Sequence, residues 1–355
     1  MIKVGTDFSG IGSPEAALKR LEIPHENIFA CDINKYAKQS FLLLNNPSKF
    51  YDDITTRDYK EVPQLDLYVA GFPCQSFSLA GKRGGFDDVR GTLFFNVAEF
   101  IKVNQPKCFI LENVRGLLSH EKGKTFQTIT DVLHNGGGTL NGQMGFDSVD
   151  DGLGYHIYYK VLNTKNYGIP QNRERVFIIG FKDWKEFRFP KEIPLELRLK
   201  DLLEESVNEK YYLSDKMKNF VLTTNFREAK PIDVNKISPC IKVGGDVPCF
   251  EEDQVVVHNL HPRCGDPKKG GTGRLSRKDG ITYCLDTGNN QAIEENKRIR
   301  RLTPLECWRL QGFTDEEFWK AQKVNSDTQL YKQAGNSITV NVMVEILRNI
   351  YHKSE

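Results

Sequence analysis

The run Leu65-Asp66-Leu67-Tyr68-Val69-Ala70-Gly71-Phe72-Pro73-Cys74-Gln75-Ser76-Phe77-Ser78 decides how the rest of the chain is read. Its first six residues are apolar apart from Asp66 and read as a buried strand. Gly71 and Pro73 break that strand, which leaves Cys74 at its carboxyl end. In an open α/β sheet, ligands bind outside the carboxyl ends of the strands. A thiol there can be a nucleophile, provided its surroundings lower its pKa or position its target. The plain alternative is a small buried hydrophobe, since free cysteines are among the most buried residues. A Pro-Cys-Gln turn flanked by Gly, Phe and Ser favours the nucleophile.

Upstream, Ile2 to Phe8 reads as a strand ending in Ser9-Gly10-Ile11-Gly12-Ser13-Pro14-Glu15. Ser13 is the expected cap of a helix, with Pro14 first and Glu15 at its positive end. Strand, glycine turn and helix make half of a nucleotide-type site. The dinucleotide fingerprint needs a third small residue where Glu15 stands, and a pyrophosphate would be repelled there. A cofactor without phosphate faces no such penalty. Asn27 to Cys31 form a second strand, with Asp32 at its end, where a carboxylate can accept both hydroxyls of a ribose. A helix from Asn34 to Leu44 and an acidic turn, Asp52-Asp53-Ile54, follow.

Downstream of Cys74, Gly81 to Gly91 is a glycine-rich, charged loop suited to closing over a substrate. A helix from Thr92 to Val103 leads to the strand Lys107–Leu111, which ends in Glu112-Asn113-Val114. Glu112 is thus a second reactive group at the carboxyl edge. A helix is expected over Glu121–His134, then a glycine-rich surface excursion from Asn135 to Gly154. Two strands flank Gln171-Asn172-Arg173-Glu174-Arg175, where alternation puts Arg173 and Arg175 on one face. Paired guanidinium groups suit a phosphate or a base carbonyl. From Asp183 to Ile299 the βα alternation stops, consistent with a second domain. Its clearest feature is His261–Lys278, with six Lys/Arg against one acid. Thr303 and Pro304 open a helix that Gly312 stops. Tyr331-Lys332-Gln333-Ala334-Gly335-Asn336-Ser337 precedes an apolar helix, Ile338 to Ile350, with Asn336 and Ser337 at its amino terminus.

The chain has 355 residues, 39% hydrophobic and 27% charged, enough for a large domain plus a smaller one. Net charge is only +2, so a nucleic-acid surface must come from local clustering. The N-terminus enters a strand directly and no apolar run approaches membrane-spanning length, so neither signal peptide nor membrane span is expected. Eight scattered cysteines, without CxxC or a Cys/His ladder, fit reduced thiols and no metal centre.

Gly-Phe-Pro-Cys-Gln, Glu-Asn-Val, Gln-Asn-Arg-Glu-Arg, Arg301–Phe313 and Gln-Ala-Gly-Asn-Ser, in that order, resemble the motif set of the cytosine-5 DNA methyltransferases of bacteria and phages. The resemblance implies an α/β, Rossmann-like S-adenosylmethionine-dependent domain with a smaller, irregular, strand-rich target-recognition domain. It implies cofactor contacts at Phe8, Ile11, Asp32, Ile33, Asp53, Ile54, Pro73, Leu93, Asn336 and Ser337, to which we add Gly10, Gly12 and Gly71. The expected catalytic residues are Cys74, Glu112 and Arg175, with Arg173 in support. Gln75, Lys82, Arg83, Arg90, Arg263, Lys268, Lys269, Arg274, Arg277 and Lys278 are the expected contacts to double-stranded DNA. Thr6 stands where the family usually has Asp, the acid being Asp7. Ser13 replaces the last glycine, and Cys284-Leu285 stands where the recognition region often has Thr-Leu.

The expected division is residues 1–182 catalytic, 183–299 target recognition, 300–325 a hinge and 326–355 a helix returning to the catalytic domain. A monomer in the cytoplasm of a bacterium or phage-infected host is expected, with a cognate restriction endonuclease as partner. An RNA cytosine methyltransferase on the same motifs and a DNA-binding module without turnover are the alternatives. The long recognition region favours DNA, and Cys74, Glu112 and Arg175 together favour catalysis. If residues 183–299 choose the sequence, grafting them into a relative of different specificity transfers the DNA word. A chimera that stays active but keeps its host's word, read by bisulfite sequencing, rejects this division.

Overall fold

The computed structural model describes residues 1–73, 93–135, 139–140, 143–144, 152–215, 256–259, 276–285, 291–295 and 298–352. The strand-forming runs of the first half become β1 (Ile2–Asp7), β2 (His25–Cys31), β3 (Lys49–Tyr51), β4 (Leu67–Ala70) and β5 (Cys108–Val114). Two short strands, β6 (Thr139–Leu140) and β7 (Gln143–Met144), precede β8 (His156–Asn163) and β9 (Glu174–Phe181). They form one sheet in the order β3-β2-β1-β4-β5-β9-β8-β6-β7. The first five strands run parallel, and β9 enters antiparallel between β5 and β8. The order reverses between β1 and β4, so a crevice opens at their carboxyl ends.

Helices α1 (Ser13–Arg20), α2 (Lys35–Leu44), α3 (Leu93–Asn104) and α4 (Lys124–His134) belong to this half. After a second, four-stranded antiparallel sheet come α5 (Pro304–Arg309), α6 (Asp315–Gln322), α7 (Asp327–Asn336) and α8 (Val340–Tyr351). That sheet is built from β10 (Val256–Asn259), β11 (Ser276–Arg277), β12 (Gln291–Glu295) and β13 (Arg298–Arg301). Helix α8 packs on α1, and α6 on α2.

Alternation divides the large sheet's side chains between two cores. Val4, Leu67, Val69, Cys108 and Ile110 join α1, Trp308 and α8 on one face. Phe29, Tyr68, Ala70, Phe109 and Leu111 join Phe94 and Phe100 of α3 on the other. A sheet covered on both faces explains why its strands read as unbroken apolar runs.

Four local expectations are corrected. Gly12, at φ 89°, precedes α1 without a side-chain cap, so Ser13 is a buried first residue. That φ strains any residue with a side chain, and a Cβ on Gly12 would also displace the Asn45 amide. Strand β5 continues through Glu112 to Val114, because β9 pairs with it that far. Helix α4 begins at Lys124, since Glu121 and Lys122 take positive φ. Residues 333–336 are the last turn of α7, so Asn336 and Ser337 end one helix instead of opening the next.

Under the crevice lies a dry ion pair. Both carboxylate oxygens of Asp7 accept from Arg57, at 2.8 and 2.6 Å, and Tyr68 Oη donates to Asp7 at 2.7 Å. Both charged side chains are fully buried, and the guanidinium carbon sits 4.2 Å from the Phe29 ring centroid and 4.6 Å from that of Phe100. Removing one partner strands the other charge in an apolar core. Arg57→Met is expected to cost roughly 3–5 kcal/mol in urea unfolding, the usual penalty for an uncompensated buried charge. A loss below about 1 kcal/mol, the value of a surface pair, rejects this view.

Candidate active site

The carboxyl ends of β1, β4 and β5 and the link between α7 and α8 meet around one cleft. Its walls are Thr6 to Gly10, Ser13, Pro14, Val69, Gly71, Glu112, Asn336, Ser337 and Ile338. Phe8 turns the chain out of β1 with φ 54°, and Ser9 ties the turn to β2 through its N–H and Oγ, both bonded to Cys31. Gly10, at φ 55°, has nothing within 4 Å of where a Cβ would stand, so the turn offers bare backbone to open space.

Asp32 closes one side. Its oxygens accept from Gly10 N and Asn34 N, each at 2.8 Å, and each oxygen retains a lone pair for a hydroxyl. Burial raises its pKa, and those two backbone bonds oppose the rise. Next to it Ile33 is 82% exposed, an apolar surface that a planar ring could cover. Asn336 is exposed at the opposite wall. These groups suit S-adenosylmethionine: a carboxylate for the ribose, an apolar plate for the adenine and bare backbone beside the methionine.

Other expected contacts sit differently. Ile11 and Ile54 are core residues and can offer only backbone. Gly12 faces Asn45, and the Asp53 carboxylate caps its own turn through Thr55 N and Oγ1. Pro73 is exposed and Leu93 half-buried, whereas Ser337 is buried with its hydroxyl bonded to Gln333 O. Asp7 is consumed by Arg57, so it does not stand in for the missing acid at position 6. Thr6 Oγ1 instead lies 3.0 Å from Ser9 Oγ and 3.2 Å from Glu15 Oε1. Glu15 is almost wholly buried behind the turn, and burial pushes its carboxyl up to about 7. It does not line the cleft, so the case against a pyrophosphate is weaker than the sequence suggested.

The same alternation that builds the cores sorts the reactive groups. Glu112 points to the face of Ile110, and Asn113 to the face of Leu111. Arg175 shares Glu112's face, and its Nε lies 3.1 Å from Glu112 Oε1. Burial raises the Glu112 pKa, while Arg175 and then Arg173 oppose the rise. The result is a desolvated carboxyl paired with a cation.

Arg173 is buried and donates to Leu285 O, Gly335 O and Ser337 O, and to Cys284 Sγ at 3.2 Å. It therefore organises the site's frame and does not line the cleft. Sequence reasoning assigned nothing to Asn113, whose Nδ2 donates to Phe72 O at 2.8 Å and so fixes the backbone two residues before Cys74. An amide directly after a strand-end acid was the available signal. Cys74, Gln75, Lys82, Arg83, Arg90, Arg263, Lys268, Lys269 and Arg274 lie outside the described residues. Arg277 belongs to β11, and Lys278 is exposed after it. Of the described thiols, burial pushes Cys108 up to about 12 and raises Cys31 further, so neither is a candidate nucleophile.

The family model for C-5 cytosine-specific DNA methylases matches residues 3–141 and 147–352. The chain belongs to that family. It is a DNA (cytosine-5) methyltransferase that uses S-adenosylmethionine. The match takes in the irregular 183–299 region as well as the motifs. The chain is 36% identical to the type II methyltransferase M.NgoBI of Neisseria gonorrhoeae, over 97% of this chain and 90% of that protein. It is 32% identical to the orphan methyltransferase M.SPRI of Bacillus phage SPR, over 99% and 98%. The fold is similar to that of the Dnmt2 methyltransferase of S. pombe, with a TM-score of 0.67, 18% identity, and 98% and 97% of the two chains covered. Among the described residues no helix is long and apolar enough to cross a membrane.

If Asp32 holds the ribose of this methyltransferase's cofactor, Asp32→Ala weakens S-adenosylmethionine far more than DNA. The loss of a charge-assisted hydrogen bond corresponds to roughly 1.5–3 kcal/mol, read by calorimetry. An unchanged cofactor affinity removes Asp32 from the site.

Proposed function

We propose that the enzyme methylates one cytosine within a specific duplex DNA word, through a covalent bond between Cys74 and C6 of a base flipped from the helix. The supporting observation is Glu112, on the wall of the cleft that also holds Phe8, Gly10 and Asn336, with Arg175 paired to it at 3.1 Å. Strand β4 runs parallel beside β5, and Cys74 is the fourth residue after its end. A Cβ on Gly71 would stand 3.7 Å from Glu112 Oε2, so the path towards Cys74 begins beside the acid.

Cytosine C5 is too weak a nucleophile to react unaided. The Cys74 thiolate adds to C6, and the electron pair of the C5–C6 bond is drawn towards N3. Glu112, whose pKa burial raises, can in its protonated form donate a hydrogen bond or proton at N3 and so stabilise that charge. Arg175 holds the base oxygen, and its charge keeps the carboxyl oriented. S-adenosylmethionine supplies the electrophilic methyl group. The C5 proton then leaves to a base, the electron pair reforms C5–C6, and the Cys74 thiolate is expelled. Flipping the base costs a few kcal/mol. Contacts from residues 81–91 and 263–278 to the DNA backbone offset this cost.

We further infer that residues 183–299 read the word and that the enzyme works as a monomer in the cytoplasm of a bacterium or phage-infected host. A place in a restriction–modification system, beside a cognate endonuclease, is supported by the type II name of one relative, although another is an orphan.

Fluorine at C5 cannot leave as a proton does, so elimination stalls. Duplex DNA carrying 5-fluorocytosine in the word found by bisulfite sequencing, incubated with S-adenosylmethionine, is expected to give a complex that survives denaturing electrophoresis. Cys74→Ser gives none, yet still binds DNA. Wild-type methylation by Cys74→Ser, or an adduct mapped to another thiol, overturns the mechanism.

A further inference from the structure

We propose that Arg173 is a positioning residue that couples the recognition segment to the cofactor pocket, so that DNA and cofactor bind cooperatively through it. This rests on the reading that residues 183–299 engage DNA. The two nitrogens of its fork face opposite ways. Nη1 donates to Leu285 O at 3.1 Å and Cys284 Sγ at 3.2 Å. Nη2 donates to Ser337 O at 2.9 Å and Gly335 O at 3.1 Å. Both sets of partners lie more than a hundred residues from Arg173 along the chain.

Each side of the fork meets something functional. Gly335 and Ser337 are the carboxyl end of α7, whose orphan carbonyls carry the negative pole of the helix. Asn336, between them, is exposed at the cleft wall, and Ser337 and Ile338 line it. On the other side, residues 281–285 are stitched along Pro170–Arg173. Thr282 N donates to Pro170 O at 2.8 Å, Asn172 N to Thr282 O at 2.8 Å, and Leu285 N to Gln171 Oε1 at 3.0 Å. A shift of the 281–285 segment must therefore strain or release the bonds that hold residues 335–337. Arg175 Nη2 also lies 3.6 Å from Cys284 Sγ, which brings the same segment to the proposed catalytic cation.

A buried guanidinium bonded, among the described residues, to three carbonyls and a thiol gives such coupling a directional lever. Lysine retains the charge but cannot fork to both sides. By linkage, cofactor must change DNA affinity by the same factor as DNA changes cofactor affinity.

The test is calorimetry of S-adenosylhomocysteine, with and without a duplex carrying the word found by bisulfite sequencing. For wild type, DNA is expected to tighten the ligand at least about 5-fold, the low end of ordinary coupling. For Arg173→Lys the two affinities should agree within about 2-fold, whereas a variant that is merely less stable keeps the ratio. Cys284→Ala, which removes one contact on the recognition side and leaves the α7 side intact, is expected to give an intermediate ratio. It carries the test should Arg173→Lys not fold. No coupling in wild type, an undiminished ratio in Arg173→Lys, or an undiminished ratio in Cys284→Ala overturns the proposal. Because the readout is binding, its failure is separate from failure of the methylation reading, which would show as absent 5-methylcytosine.

Discussion

The crevice exists because Asp7 and Arg57 can be buried together. Strand β1 must end under the cofactor turn, at the point where the sheet's order reverses and where water is excluded on both faces. An aspartate there would be prohibitive alone. Arg57 makes it tolerable with a two-point bond, Tyr68 adds a third from β4, and Phe29 and Phe100 receive the guanidinium face. The pair thus ties β1, β4 and the chain after β3 to one point. Phe8 and Gly10 leave β1 in positive-φ conformations directly after this anchor. A turn of that kind holds its shape only when the strand before it cannot shift.

From that anchor, the two-residue period of β5 does the sorting. Ile110 and Glu112 share a face with α1 and α8, and Leu111 and Asn113 share a face with α3. The acid therefore meets the cleft and Arg175, while the amide secures Phe72 from beneath. A one-residue slip of register would exchange them, placing a carboxyl in the aromatic core and an amide at the reacting base. Antiparallel pairing of Glu112 with Phe177 and Val114 with Arg175 guards against that slip.

This explains what could be read in advance. Strands β4, β5 and β9 were legible because burial on both faces leaves them nearly continuous apolar runs, β1, β2 and β8 from shorter apolar stretches, and Glu112 and Arg175 because charged residues ending such runs are conspicuous. Asp7 and Glu15 were not. Glu15 read as an acid at the positive end of a helix and Asp7 as the acid beside Thr6, yet their partners, Thr6 and Arg57, are brought to them by tertiary folding from other elements. The end of α7 was missed for a related reason. Gly335, Asn336 and Ser337 are poor helix formers, so the sequence reads as a loop. Helicity persists because Gln333 is bonded to Ser40 and Tyr36 of α2, and because Arg173 donates to the carbonyls of Gly335 and Ser337 at the helix end.

That last point bears on why an arginine stands at position 173. Burial lowers its pKa, chiefly by desolvation, with Arg175 adding like-charge repulsion. A buried cation beside another cation is costly, and a purely structural seam could be made with apolar residues at less expense. What an apolar replacement could not do is bond simultaneously to the end of a helix and to the segment between β11 and β12. Glu112 lies close enough to offset both positive charges, and the same carboxyl is the group proposed to meet the base. Protonation at Glu112, the orientation of Arg175 and the hold of Arg173 on residues 335–337 are therefore parts of one electrostatic cluster. In such a cluster, changing the charge of one member shifts the energetics of the other two. In the proposed mechanism the base, residues 281–285 and the wall at residues 335–337 all meet that cluster, so occupying one alters the field at the others.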